Sequence, residues 1–109
     1  MNHITEYKRR LNRGAAQTPD EYIRALSDDE YALLGPDAIK ELYRSLLLIE
    51  HRRFNGPLHV AEENEFFQRI EGTLFYSRMG LHIALKNLWI TLKRTVNSGK
   101  LWGFLKRGR

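Results

Sequence analysis

Apolar residues recur at every third or fourth position along most of this chain, which is the spacing of helices that bury one face. Stretches in which apolar and polar residues alternate strictly, as they do in a half-buried strand, are nearly absent. We therefore predict an all-α fold, a small helical bundle with helices near residues 3–12, 19–34, 36–54 and 60–97. Because 109 residues have room for one hydrophobic core, we expect residues 1–109 to form a single helical domain.

Local signals mark where these helices begin. Thr18 and Ser27 are each followed three residues later by a glutamate, Glu21 or Glu30, the spacing of a capping box. Two of the three prolines also stand at a predicted first helical position, where the missing N–H is tolerated. The signal at Ser27 predicts a break within the 19–34 segment.

The predicted last helix carries two apolar faces, and this is the most informative pattern in the chain. One continuous stripe consists of Phe67, Ile70, Leu74, Leu81, Ala84, Leu85, Leu88, Leu92 and Val96. A second stripe, on the opposite side, consists of Tyr76, Met79, Ile83 and Ile90. A helix that is apolar on two sides must lie between two neighbours.

The length of this helix favours a dimer. Unbroken, it would be on the order of 50 Å long, whereas a compact domain of this size is only about 35 Å across. The helix therefore bends, at Gly72 or Gly80, or it projects and is covered by a second subunit. We prefer a homodimer, and the alternative is a bent helix wrapped inside a monomeric bundle. The predicted interface residues are Leu74, Met79, Leu81, Ile83, Leu85, Leu88 and Leu92.

Acidic and basic residues are strongly segregated along the chain, whose net charge is +5. Residues 1–14 are basic, residues 18–50 carry eight acids against three bases, and residues 78–109 carry eight bases and no acid. The basic ends can bind an external polyanion, or they can pair with the acidic segments within one chain or across a dimer. The basic N-terminal segment 1–14 and the basic aromatic tail 98–109 are the candidates for flexible segments.

The tail alternates cations with Trp102 and Phe104, a pattern typical of stacking on single-stranded bases with phosphate contacts. The same pattern suits an anionic membrane surface, which we favour less, or simple packing against the bundle. The residues predicted for contact with nucleic acid or another polyanion are Lys8, Arg9, Arg10, Lys93, Arg94, Lys100, Trp102, Lys106 and Arg107.

Chemical groups for catalysis are not evident. The chain has no cysteine, its four histidines lack metal-ligand spacing, and its glycines form no phosphate loop. We therefore predict neither an enzyme nor a cofactor or metal site. The sequence also has no apolar stretch of about 18 uncharged residues and no apolar segment near its N-terminus, so we expect a cytoplasmic protein.

Several short stretches resemble the TraM-type quorum-sensing antiactivators, a family of small helical bacterial proteins. Residues 26–30 (LSDDE) lead into an acid-Ala-Ile-base helix start at residues 37–40, residues 70–73 read IEGT, and residues 85–92 space their leucines similarly. The tail after Val96 departs from that family's ending. The resemblance implies a non-enzymatic dimer that sequesters a transcriptional activator.

These observations together predict a regulatory interaction protein that binds a protein partner, with a transcription factor as the candidate. The alternative function is a nucleic-acid-binding module that uses both basic ends. The two hypotheses differ in the expected effect of salt, because binding through phosphate contacts weakens steeply as salt rises.

Overall fold

The computed structural model describes residues 2–14 and 17–97, and within them the chain is all-α, without strands. The all-α class predicted from the sequence is therefore confirmed, as are the helix over 3–12 and the break at Ser27. In chain order the helices are α1 (His3–Asn12), α2 (Pro19–Arg24), α3 (Asp28–Leu34), α4 (Pro36–Asn55), α5 (Val60–Glu71) and α6 (Leu74–Asn97).

Side-chain caps fix the starts of the first three helices. The Asn2 side chain accepts hydrogen bonds from two backbone N–H groups at the start of α1, and Thr18 accepts one from the Glu21 N–H. Ser27 and Glu30 form the full reciprocal capping box at the start of α3. Each cap satisfies backbone donors that have no partner inside the helix, so the boundaries follow the polar residues of the sequence.

Helix α4 is the centre of the fold, since α1, α2, α3 and α6 all pack against it. Ile39, Tyr43 and Leu46 are buried on one face of α4, and Leu47 is buried on a second side. Phe54, near the end of the helix, is 73% exposed. The buried core residues are Tyr7, Tyr22, Ile23, Leu26, Tyr31, Ile39, Tyr43, Leu46, Leu47, Met79, Ile83 and Ile90.

The prediction of one helix over 60–97 is wrong. Helix α5 ends at Glu71 and α6 begins at Leu74. The break therefore includes Gly72, the first of the two glycines at which a bend was expected. The Thr73 N–H and hydroxyl both donate to the Ile70 carbonyl, at 2.9 and 2.5 Å. This local bonding competes with the helical pattern, so Phe67 and Ile70 lie on a different helix from the leucines that follow.

The chain is elongated and thin. Its principal extents are 62 × 30 × 19 Å, and its Cα radius of gyration is 17.7 Å. A compact domain of this length has a radius of gyration of about 13 Å. Within residues 2–14 and 17–97, part of the apolar surface of α6 stays uncovered.

Candidate interaction surface

Helix α6 turns only one of its two apolar faces toward the core. Met79 and Ile83 are fully buried and Ile90 is 7% exposed, while α3, α4 and α5 pack beside the helix. The prediction that Met79 and Ile83 belong to an interface is therefore wrong, because both side chains are enclosed by their own chain. The two stripes were correctly separated by the sequence pattern, but these two residues were assigned to the wrong role.

The opposite face of α6 is open to solvent and forms the candidate site. We call it the leucine face, and it consists of Leu74, Leu81, Leu85, Leu88 and Leu92, which are 46–66% exposed. Five apolar side chains in a row on one helix are far more than the isolated exposed residues of an ordinary surface. A surface of this kind is typical of a contact with another protein.

Two large aromatic side chains extend the leucine face on one flank. Phe75 is 43% exposed and Trp89 is 56% exposed, and neither was among the residues predicted for the interface. Trp89 lies one turn after Leu85, and Phe75 directly follows Leu74, so their spacing was available as a signal. Lys93 Nζ lies 5.6 Å from the centroid of the Trp89 ring, which helps to hold this flank in place.

The orientation of α6 is held by charged contacts along the edge of its buried face. Lys86 and Lys93 both reach the carboxylate of Asp28, the first residue of α3, at 2.9 Å. These two ammonium groups lower the pKa of Asp28. Further along the edge, Arg24 Nη1 lies 3.4 Å from His82 Nδ1, and burial, followed by the neighbouring cations Arg24 and Lys86, lowers the pKa of His82.

The basic residues of α1 also have acidic contacts within the chain. Arg9 and Arg10 both bond to Glu6, and the two guanidinium groups lower the pKa of that carboxyl. Arg10 additionally donates to the Gln17 side chain at 2.6 Å and lies over the Tyr22 ring. Much of the positive charge of the N-terminal segment is thus balanced locally.

The residues predicted for polyanion contact therefore divide into three groups. Arg9, Arg10 and Lys93 have carboxylate partners in their own chain. Lys8 and Arg94 are exposed, and Lys8 lines a cleft of about 290 Å³ with Leu11, Ile49 and two arginines of α4. The remaining predicted residues, Lys100, Trp102, Lys106 and Arg107, lie outside the described residues.

A second cleft, of about 270 Å³, lies between α4, α5 and the start of α6. Its apolar lining includes Phe54, Phe66 and Phe75. The ring centroids of His51 and Phe66 are 4.4 Å apart. Because Phe75 belongs both to this cleft and to the flank of the leucine face, the two apolar surfaces are continuous. This cleft was not predicted from the sequence, since its walls come from three separate helices.

Within residues 2–14 and 17–97, no cluster of three or more potential ligand residues could hold a metal ion. None of the helices in this part of the chain is both long and apolar enough to cross a membrane. No protein-family model, curated protein or solved structure matches the chain. A proposal for its function must therefore start from the surface of the molecule.

Proposed function

We propose that this chain is a non-enzymatic regulatory protein that acts as a helical homodimer and binds a protein partner in the cytoplasm. The observation that carries the proposal is the leucine face of α6, which the rest of residues 2–14 and 17–97 leaves open. A second copy offers the same face, so pairing would cover both at once. Such self-complementary contacts are the usual form of homodimer interfaces.

The size of the surface is sufficient for such a dimer. Together with Phe75 and Trp89, the leucine face offers on the order of 700 Å² of apolar surface, close to the roughly 800 Å² per partner of a standard interface. The elongated shape of the chain supports the same conclusion, because a second copy would complete a thicker and more compact bundle.

We further propose that the partner is a transcriptional activator, held inactive by contact with the dimer. This part rests on the resemblance to the TraM-type antiactivators and on the aromatic cleft beside α6, which could receive an apolar side chain of the partner. The cleft contains Phe54, a large apolar side chain that is 73% exposed among the described residues. Aromatic residues in such positions are common anchors of protein contacts.

Analytical ultracentrifugation tests the dimer directly. We expect the parent chain to sediment as a dimer at micromolar concentration, and Leu88→Glu to sediment as a monomer with unchanged helical circular dichroism. The helix should survive because Leu88 is 54% exposed in the single chain. Leu33→Glu is the matched control, since Leu33 is 86% exposed on α3, outside the leucine face, and its variant should remain a dimer. A parent chain that stays monomeric at 100 μM, or a dimeric Leu88→Glu variant, would contradict the proposal.

Affinity capture from the native host tests the second part. A tagged parent chain should enrich a transcriptional activator over the same capture with Phe54→Ala, a variant that shortens one wall of the aromatic cleft. Equal recovery with both chains would remove the cleft from the proposal. Enrichment of nucleic acid without an activator would favour the alternative function.

The nucleic-acid alternative has less support, because three of the cations assigned to it are engaged with carboxylates in the same chain. Its test is fluorescence anisotropy with duplex and single-stranded oligonucleotides at several salt concentrations. Binding that falls log-linearly as salt rises would indicate phosphate contacts. We expect no binding that depends on Arg9, Arg10 or Lys93, because their contacts with carboxylates would have to be broken first.

A further inference from the structure

The leucine face follows the heptad spacing of a two-stranded coiled coil. From Leu74 to Thr95, alternating steps of four and three residues visit only one side of α6. In heptad notation the a positions are Arg78, Leu85 and Leu92, and the d positions are Leu74, Leu81, Leu88 and Thr95. We call the row of a and d positions the seam. Its residues are leucines except for Arg78 and Thr95, which lie toward its opposite ends.

We propose that α6 pairs with the α6 of a second copy in the antiparallel direction, with Leu85 opposite the partner's Leu88. The inference rests on the proposed homodimer and specifies how the two copies meet. In two helices that run in opposite directions, residue numbers of opposed positions have a constant sum. This register therefore also places Leu81 opposite the partner's Leu92.

The polar positions select this register. Arg78 comes to lie opposite the partner's Thr95, so the one charged residue of the seam faces a polar residue and every central leucine faces a leucine. The Thr95 hydroxyl donates to the Thr91 carbonyl at 2.9 Å, and its methyl group can pack on the arginine stem. A shift by one heptad would place Arg78 against the partner's Leu88, so that the charged residue of the seam would face an apolar side chain.

The charge of α6 argues against the parallel direction. The helix has several cations and no acidic residue, so a parallel pair in register would place Arg78 directly beside the partner's Arg78. In the antiparallel pair these two residues are about 25 Å apart along the helix axis. Exposed charges at that separation are screened, because the Debye length at physiological salt is only about 8 Å.

The flanks of the seam also fit an antiparallel pair. One flank has only small side chains, Ser77, Ala84 and Thr91, and in an antiparallel pair this flank meets its own copy. Small residues on both sides allow the two backbones to approach closely there. The other flank, with Phe75 and Trp89, would then cover the opposite side of the seam.

Cysteine crosslinking tests the direction, and the chain is suited to it because it contains no cysteine. The variants are Leu81→Cys and Leu92→Cys, each shown first to be a dimer under reducing conditions by ultracentrifugation. In the antiparallel register, two copies of Leu81→Cys hold their thiols about 16 Å apart, too far for a disulfide. An equimolar mixture of the two variants brings the thiols together.

Under mild oxidation we expect each variant alone to crosslink no faster than Leu33→Cys, the control for random collision. The mixture should form a disulfide-linked heterodimer. Rapid crosslinking of Leu81→Cys alone would show a parallel pair, and a dimer whose mixture does not crosslink would have another register; both results overturn the inference. A parent chain that never dimerises overturns the proposed function instead. If the leucine substitutions weaken the dimer, Ala84→Cys mixed with Thr91→Cys gives the same discrimination from the small flank.

A charge test at the end of the seam gives an independent readout. Thr95→Glu should tighten the dimer and Thr95→Lys should weaken it, each by about fivefold in the dissociation constant, since two equivalent contacts with the partner's Arg78 change together. The difference between the two variants should disappear when Arg78→Ala is added. An unchanged difference in the Arg78→Ala background would overturn the proposed register.

Discussion

Lys93 Nζ lies 2.9 Å from Asp28 Oδ2, which connects the second half of α6 to the first residue of α3 across 65 positions of the chain. Lys86 Nζ reaches the other oxygen of the same carboxylate at 2.9 Å. Both lysines lie on one edge of α6, between its two apolar faces. Their shared contact therefore helps to decide which face turns toward the core and which stays open.

Asp28→Asn should lower the melting temperature, because it leaves Lys86 and Lys93 without their carboxylate partner. Asp29→Asn is the matched control, since Asp29 lies next to Asp28 in the first turn of α3. Both substitutions remove an acid that favours a helix N-terminus, so the difference between them reports the lysine contacts. Thermal unfolding at neutral pH checks this, and equal effects of the two variants would mean that these contacts contribute nothing measurable.

The same pair of variants predicts a pH dependence. The pKa of Asp28 is lowered in the folded chain by hydrogen bonds with Lys93 and Lys86. A lowered pKa gives stability that is fully present above the unfolded value, about pH 4, and is lost as the pH falls through the folded value. The melting temperatures of the parent and Asp28→Asn should therefore converge at low pH, whereas a constant gap down to pH 2 would contradict the assignment.

The two apolar faces of α6 should respond differently to the loss of a side chain. Ile83→Ala removes a fully buried side chain and should cost about 2–5 kcal/mol in the free energy of unfolding. The sequence pattern alone predicts the same cost for Leu88→Ala, but Leu88 is 54% exposed in the single chain. We now expect Leu88→Ala to stay within about 1 kcal/mol for the monomer and to weaken the dimer instead.

Urea unfolding at two widely separated protein concentrations checks this contrast. The midpoint of the parent should rise with concentration, because association stabilises the folded chain by mass action. For Leu88→Ala that rise should shrink, while Ile83→Ala should lower the midpoint at both concentrations. A Leu88→Ala variant that behaves like Ile83→Ala at low concentration would place Leu88 in the core of the single chain.

Glu50 should show the opposite pH behaviour from Asp28. Burial, and then the nearby carboxylate of Asp20, raises the pKa of Glu50 in the folded chain. The charged form is therefore disfavoured by folding, and Glu50→Gln should raise the melting temperature at neutral pH. The gain should vanish below the unfolded pKa, about pH 4, where the parent side chain is also neutral.

Glu65→Gln, on the exposed side of α5, is the control for a change of net charge. It should leave the melting temperature nearly unchanged across the same pH range. Differential scanning calorimetry between pH 3 and pH 7 measures all three chains. Destabilisation of Glu50→Gln at neutral pH would show that the ionised carboxylate has a favourable contact that outweighs its burial.

Local chemistry made much of the fold predictable from the sequence. Ser27 and Glu30 predict the start of α3, because their side chains accept hydrogen bonds from backbone N–H groups within four residues. The break at residues 72–73 was less evident, since the Thr73 hydroxyl bonds to Ile70 in a way that hydrophobic spacing does not record. A capping box can be predicted because it has a recognisable Ser-x-x-Glu spacing, whereas a single threonine that bonds three residues back has no comparable pattern.

The candidate site shows a different limit. Periodicity places Leu85 and Ile83 on opposite faces of one helix, but it cannot tell which face its own chain covers. That choice depends on contacts such as Lys86 with Asp28, which join residues far apart in sequence. The aromatic cleft around Phe66 was missed for the same reason, because three helices must be placed before its walls exist.

The break before α6 has a consequence for how the chain opens. None of the twelve residues of α5 is fully buried: Phe66 and Ile70 pack against the core but stay partly exposed, and Arg52 with Glu63 is a surface contact. Because Thr73 interrupts the backbone hydrogen bonds between α5 and α6, α5 can unfold while α6 stays in place. Its amide hydrogens should therefore exchange with solvent well before those of α4, through a local opening that leaves the central core intact.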